Sequence, residues 1–336
     1  MSERPWLSII VPTYNAEKYL CDCVASICLE DNPNVQVILV DDGSTDSTPQ
    51  ICDQLANRYK NLTVIHRENG GSPSARNAGC ARADGNWIWF VDSDDVIAPY
   101  ALNALHSACS STEVDAVQIS FIEFSNGEKP AWSSSMSLKN PVALTSDEFL
   151  AGIYRGDFGH YIPSFLLRAD VLLGVDDHIV SMHNGSKHRE RPFREDFSLY
   201  EDVVSTEEFV RRTHRIEVLK LEAYGYRQVV SSMTHKKSDK AAYSGLRAVL
   251  ELQKYDVPAG LVADKVRMEL GLLFSAYKLL EDGTESKALK ERFDDEICKR
   301  AKALGLFGMG AQKLIRYLLY KIGAMDLIIR WRLRRG

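Results

Sequence analysis

The sequence predicts an α/β protein with a mostly parallel central sheet, helices on its faces and a helical C-terminal extension. Three observations carry this expectation. Short runs that are apolar throughout alternate with segments of helical periodicity, the pattern of strands buried on both faces. Three of these runs end in polar clusters, at residues 12–15, 41–46 and 92–95, and open parallel sheets gather ligands beyond the carboxyl ends of their strands. From residue 238 onward the strand pattern disappears and helical periodicity takes over.

Taken in order, residues 7–11 read as a buried strand, and Asn15 of "PTYN" is expected to cap a helix in which Leu20, Val24, Ile27 and Cys28 recur. Residues 35–40 form a second strand closed by "DDGSTD". Ser47 is the expected cap of the next helix, with Pro49 in its first turn and Ile51, Leu55 and Tyr59 on one face. Residues 62–65 are a third strand. "GGSPSARNAGCARADG" reads as loop, small-residue helix and a terminating Gly85. Residues 87–91 are a fourth strand. Beyond Tyr100 come a helix to residue 110, a strand at 115–124, a polar loop to 140 and a helix at 146–154. A strand-like run at 161–167, an exposed charged loop in "HNGSKHRERPF", a helix at 200–211 and a strand at 216–221 follow.

Bulk properties exclude several function classes. The net charge of −5 over 336 residues argues against general nucleic-acid binding. No N-terminal run has the length and flanks of a signal peptide, and no apolar stretch reaches the ~20 residues that cross a bilayer. Cys21, Cys23, Cys28, Cys52, Cys80, Cys109 and Cys298 lack zinc-like spacing and read as reduced packing or surface thiols of a cytoplasmic protein.

The chemistry concentrates at strand ends. "WIWFVDSDDV" delivers Asp92, Ser93, Asp94 and Asp95 directly after a buried run. Carboxylates so close repel one another unless a cation sits among them, and hard oxygen donors without interleaved His or Cys suit Mg²⁺ or Mn²⁺ rather than zinc. A solvated acidic turn or a helix cap is the plainer reading of the same tetrapeptide. Asp41, Asp42 and Gly43 could face a base or a ribose, or simply turn the chain into a helix. Gly70, Gly71 and Ser72 would leave N–H groups for a phosphate, and Arg76 could add a contact or merely sit on a helix surface. Neither G-x-G-x-x-G after the first strand nor G-x-x-x-x-G-K-[ST] is present, so a nucleotide would be held by a different arrangement.

"LSIIVPTYNAEKYL", "ILVDDGSTDST", "ENGGSPSARNAG" and "WIWFVDSDD" together resemble the donor half of family 2 glycosyltransferases with the Rossmann-like GT-A fold. The similarity is strong over residues 5–105. It continues more loosely to about residue 235 through "YEDVVSTEEFVRRTHRIEVL" and "YGYRQ". The resemblance implies a donor-binding half at 1–105, an acceptor-binding half at 106–237 and a helical region with a basic tail at 238–336. It implies that Pro12, Thr13 and Tyr14 line the base pocket, that Asp42 reads the base, most often uracil, and that Arg76 sits near base and diphosphate. Asp92 would contact ribose with Ser93 beside it, Asp94 or Asp95 would hold the metal with Asp92, and Asp202, next to Glu201, would be the catalytic base. Arg227 would reach the departing diphosphate, and His235 stands where related enzymes sometimes bring a further metal ligand.

The expected activity is thus an inverting, Mn²⁺- or Mg²⁺-dependent hexosyl or N-acetylhexosaminyl transfer from a nucleotide-sugar, a UDP-sugar first, to a glycan or lipid-linked glycan in cell-surface polysaccharide synthesis. The alternatives are a sugar nucleotidyltransferase, which would normally carry a glycine-rich loop where "VPTYN" stands, and a non-catalytic nucleotide-sugar binding module. On residue types alone, Glu201 and Asp202 also fit a negatively charged first helical turn. The closing "KLIRYLLYKIGAMDLIIRWRLRRG" is basic and amphipathic, with Leu314, Leu318, Ile322 and Met325 on one expected face. It suits either peripheral contact with the inner face of a membrane or packing on the protein body with a solvated basic end.

Overall fold

The computed structural model describes residues 4–27, 34–110, 113–132, 141–174, 191–229, 237–281 and 286–321. The first strands follow directly from their residues. β1 (Leu7–Thr13), β2 (Val35–Asp41), β3 (Leu62–His66) and β4 (Trp87–Phe90) are parallel and lie in the order β3-β2-β1-β4. Every residue of β4 is buried, which its four large apolar side chains require, and each fully buried side chain contributes about 1.5–3 kcal/mol. The one polar atom this burial carries inward is satisfied, since Trp89 Nε1–H donates to the Pro163 carbonyl at 2.8 Å.

The sheet then changes character. β5 (Val96–Ile97), β6 (Ala116–Ser125), β7 (Val142–Thr145), β8 (Phe165–Arg168) and β9 (Arg215–Gln228) extend it in the order β4-β8-β6-β9-β5, with β7 also on β9. β8 runs antiparallel to β4 and β6, whereas β6 and β9 are parallel. β9 absorbs "AYGYRQ" and is longer than the sequence suggested, because it alternates buried and accessible residues instead of forming one apolar run. The strand-like 161–167 is broken: Pro163 sits in a 3-10 turn, Ile162–Ser164, before β8 begins.

Helices α1 (Leu20–Ile27), α2 (Thr48–Arg58), α3 (Ser72–Cys80) and α4 (Ala101–Ala108) accompany the first strands. α1 buries Leu20, Cys23, Val24 and Ile27, as its periodicity predicts, with Cys28 outside the described residues. Three capping expectations need correction. Asn15 adopts a left-handed φ of 49° and caps nothing; its side chain accepts from Thr45 N at 2.8 Å, tying the end of β1 to the loop after β2. Ser47 makes no side-chain cap, and Asp46 Oδ1 accepts from Thr48 N at 2.9 Å instead. Gly85 does not end α3, whose cap is Ala81. It lies against β1, where an added Cβ would come within 2.4 Å of Ser8 N.

The chain divides into two compact units, one of Met1–Phe149, Tyr161–Asp196 and Ser205–Val230 and the other of Leu150–His160, Phe197–Val204 and Ser231–Gly336. The first holds the sheet. Three further helices, α5 (Ser146–Arg155), α6 (Ala169–Leu173) and α7 (Glu201–Arg212), fall in this part of the sequence. The second unit is built on α8 (Asp239–Leu252), α9 (Val262–Tyr277), α10 (Ser286–Gly308, kinked at Gly305) and α11 (Ala311–Lys321). Its core gathers Leu246, Val249, Leu270, Phe274, Phe293 and Ile297. No helix among the described residues is long and apolar enough to cross a membrane. Cys23, Cys52, Cys80 and Cys109 are buried thiols, Cys298 is half-buried and Cys21 is exposed.

Candidate functional site

Parallel register places the polar strand ends side by side. Thr13 pairs with Asp41 across β1 and β2, Asp41 with His66 across β2 and β3, and Ile10 with Phe90 across β1 and β4. Residues 12–15, 41–46 and 92–95 therefore leave one edge of the sheet together. Pro12 is half-buried, Thr13 is buried with Oγ1 donating to the Val11 carbonyl at 3.1 Å, and Tyr14 is 51% exposed at the mouth of the loop.

The two carboxylates at the end of β2 are fully engaged within the first unit. Asp41 Oδ1 accepts from Ser44 N at 3.1 Å and Asp41 Oδ2 meets His66 Nδ1 at 2.9 Å. His66 Nε2 lies 3.2 Å from Asp53 Oδ1, and the hydrogen bond with Asp41 leads the causes that raise the imidazole's pKa. Asp42 is buried, and its two oxygens accept from Gly70 N at 3.0 Å and Gly71 N at 2.7 Å while Arg67 Nε pairs with it at 3.2 Å. The expectation that the Gly70 and Gly71 N–H groups serve a phosphate is thereby corrected, since they hold Asp42. Gly43 is needed where it stands: its φ is 72°, and a Cβ would meet Asn69 N at 2.7 Å.

The end of β4 is different. Arg76, buried on α3, reaches Asp92 Oδ1 with one terminal nitrogen at 3.4 Å and stacks its guanidinium 5.5 Å from the Phe193 ring centre. Asp92, Ser93 and Asp94 are half-buried at the turn. Asp94 is pushed up to about 6, by burial first and by the Asp92 charge second. Asp95 is 1% exposed and is pushed up to about 8 by burial, then by Asp92 and Asp94. Its oxygens accept from Tyr224 Oη at 2.6 Å, Tyr161 Oη at 3.0 Å and Arg227 N at 2.7 Å. The Arg227 side chain donates through Nε to the Asp94 carbonyl at 2.7 Å and lies between the rings of Tyr19 and Phe124, at 5.1 and 4.7 Å. Arg227 thus braces the turn from β9. Tyr161 carries no motif and Tyr224 opens the "YGYRQ" stretch, and only their long-range bonds to Asp95 reveal this role.

Glu201 and Asp202 belong to the second unit, in the first turn of α7, where Asp202 Oδ1 accepts from Val203 N at 2.8 Å. Tyr200, just before them, holds a left-handed φ of 65°, which is uncommon for an aromatic residue. Its hydroxyl is pushed up to about 12, by burial and then by the Asp202 charge. His235 lies outside the described residues.

The glycosyl transferase family 2 model matches residues 8–172, a span that contains all three strand-end loops. Residues 8–172, just under half of the chain, thus carry the similarity to that family. Among similar proteins, glycosyltransferase GlyG of Streptococcus pneumoniae is 39% identical over 33% of this chain and 37% of its own length. Uncharacterized glycosyltransferase EpsJ of Bacillus subtilis is 28% identical over 68% of this chain and 63% of its own. The chain thus spans less than two thirds of the length of either relative. A crystal structure of S. aureus TarS 1-349 in complex with UDP-GlcNAc superposes with a TM-score of 0.62 over 95% of this chain and 88% of that one, at 22% identity. This establishes the GT-A fold, with its mostly parallel sheet and C-terminal helices. The three strand-end motifs meet at one sheet edge, with Arg76 from α3 and Arg227 from β9 beside the acidic turn.

Proposed function

We propose that the protein is an inverting, metal-dependent glycosyltransferase that moves a hexosyl or N-acetylhexosaminyl group from a UDP-sugar to a hydroxyl of a glycan or lipid-linked glycan. The observation that carries the reading is the turn 92–95, where carboxylates crowd at the end of a buried strand with Arg76 against Asp92. The names of GlyG and EpsJ, and the UDP-GlcNAc bound to a TarS structure of the same fold, support a nucleotide-sugar donor. Residues 1–105 form the donor half in this reading, 106–237 the acceptor half and 238–336 a helical region with a basic tail. Synthesis of cell-surface polysaccharide at the cytoplasmic side of a membrane is the setting that suits such an acceptor.

The donor set fits Mn²⁺ or Mg²⁺, since it is oxygen only. Among the described residues no three His, Cys, Asp or Glu side chains form a ready cage, so the ion would share its ligands with a diphosphate. Asp92 and Asp94 would hold it, with Asp92 also at the ribose and Ser93 beside it. Asp95 moves from expected ligand to brace, because its oxygens already face Tyr161, Tyr224 and the Arg227 N–H. When bound, the ion supplies charge stabilisation for the leaving diphosphate.

The chain's own residues do the rest. Pro12, Thr13 and Tyr14 border the base, and Asp42 shapes the base pocket by fixing the Gly70–Gly71 turn. Arg76 and Arg227 add positive charge beside the diphosphate. Asp202 accepts the proton of the attacking hydroxyl, with Glu201 beside it, and general-base help of this kind is worth about 10² to 10⁴ in rate. The experiment is incubation with a panel of nucleotide-sugars and Mn²⁺. Slow release of free UDP from a UDP-sugar supports the reading. Breakdown that needs pyrophosphate would indicate a nucleotidyltransferase, and binding without turnover a non-catalytic module.

A further inference from the structure

A segment from far along the chain closes over α3. Phe193 ends the stretch expected to be an exposed charged loop, yet it is 2% exposed. One aromatic ring among charged residues is enough to seat such a segment, because its burial is favourable while the charges keep to water. Arg191, Glu195 and Asp196 around it stay exposed.

Asn77, buried on α3, holds Phe193 by its backbone. Asn77 Oδ1 accepts from Phe193 N at 3.0 Å. Asn77 Nδ2 donates to the Phe193 carbonyl at 2.8 Å and to Glu195 Oε1 at 2.9 Å. One side-chain amide thus answers both backbone groups of a single residue, and both of its N–H donors are used. The bond from Asn77 is also the first cause that lowers the Glu195 pKa.

The pinned ring has two neighbours at the end of β4. It stands edge-on to Phe90, the last residue of that strand, with 5.0 Å between ring centres. On it lies the Arg76 guanidinium, 5.5 Å from the ring centre. The 3.4 Å contact from Arg76 to Asp92 is longer than a charge-assisted hydrogen bond, so the ring supplies a further hold on the guanidinium plane. Asn77 follows Arg76 on α3, so the pin and the held cation belong to one rigid piece of helix.

We propose that Asn77 and Phe193 are positioning residues for the diphosphate: Asn77 fixes Phe193, and the Phe193 ring sets the Arg76 guanidinium at the acidic turn after β4. The proposal rests on the donor reading above and sharpens it. The donor half at 1–105 is then incomplete by itself and takes one wall from residues 191–196.

Calorimetry of the full chain with UDP and Mn²⁺ reads the effect. Phe193→Leu keeps apolar bulk but removes the ring face, and should weaken UDP binding about tenfold. Arg76→Lys keeps the charge but not the plane, and should cost about as much. The double variant should bind no worse than either single one, since both act through one contact. Arginine side-chain NMR gives a second reading without UDP. The Arg76 Nε–H signal, assigned by its loss in Arg76→Lys, should be ring-shifted in the wild-type chain. It should move toward the free-arginine position in Phe193→Leu and in Asn77→Ala. Asn77→Ala leaves two backbone groups unpaired, and where it does not fold, Phe193→Leu carries both readings. Losses that multiply in the double variant, or UDP affinity kept in Phe193→Leu, would overturn the proposal. So would an Arg76 signal that neither variant moves. Failure of the wild-type chain to bind UDP would count against the donor reading, while the Arg76 signal still decides whether Asn77 and Phe193 place the guanidinium.

Discussion

The ends of β2 and β4 each present adjacent carboxylates on the same sheet edge, and the two sites answer them to different degrees. At β2, Asp41 and Asp42 face donors on every side: Ser44 N, His66, Gly70 N, Gly71 N and Arg67. At β4, Asp95 is likewise held by Tyr161, Tyr224 and the Arg227 N–H, whereas Asp94 faces the Asp92 charge, and burial with these charges favours the protonated forms of Asp94 and Asp95. Identical residue types therefore serve as struts at Asp41, Asp42 and Asp95 and as mutually repelling charges at Asp92 and Asp94. The difference teaches that acidity at a strand end is no sign of a cation site by itself. What decides is whether the carboxylates are already answered by donors.

The largest effect that sharpens this contrast should come from Asp94→Asn. Transfer is expected to fall about 10²-fold or more, with the Mn²⁺-dependent part of UDP binding lost and the melting temperature kept or raised. A variant with full turnover would break the contrast at its functional end. Asp202→Asn should cost about 10² to 10⁴ in transfer rate and leave UDP affinity alone, as measured by product formation beside calorimetry. At β2 the loss should be one of stability. Asp42→Ala leaves two backbone N–H groups without their acceptor and should destabilise the fold by about 2–3 kcal/mol in urea unfolding. A change under about 0.5 kcal/mol would show that Asp42 is no strut.

Next in size is the pH response. Asp94 and Asp95 have folded pKa values of about 6 and about 8, above the unfolded value near 3.9. The fold favours their protonated forms, so their cost is absent at low pH and grows as pH rises through that window. Added Mn²⁺ with UDP should therefore raise the melting temperature more at pH 8 than at pH 5.5, and an equal rise at both would contradict the assignment. His66 works the other way. Its pKa is raised by Asp41, so its contribution is full below about 6.5 and is lost as pH rises through the folded value. The effect is the smallest of the set because the ring is 43% exposed, and His66→Gln should flatten a slight fall in melting temperature above neutrality.

The same contrast explains what the residues disclosed and what they withheld. β1 to β4 were legible because strands buried on both faces leave unbroken apolar runs, and the polar loops after them announce themselves by position. Asn15 was misread because Asn is at home both as a helix cap and in left-handed turns, and Thr45, thirty residues away, decides between them. β9 was cut short because its polar outward residues mask a strand whose partners are β6, β5 and β7. The role of Asp95 was out of reach for a similar reason. Tyr161 and Tyr224 stand 66 and 129 residues from Asp95 along the chain, and not even the "YGYRQ" stretch that holds Tyr224 marks it as a donor to that carboxylate. The charged loop expected at 183–193 falls mostly outside the described residues.

Titrating UDP into the protein by calorimetry, with Mn²⁺ present and again after EDTA, tests the β4 assignment most directly. Binding at least tenfold tighter with Mn²⁺ is predicted, with the gain erased by Asp94→Asn. Equal affinity under both conditions would show that the turn after β4 grips no cation beside a diphosphate.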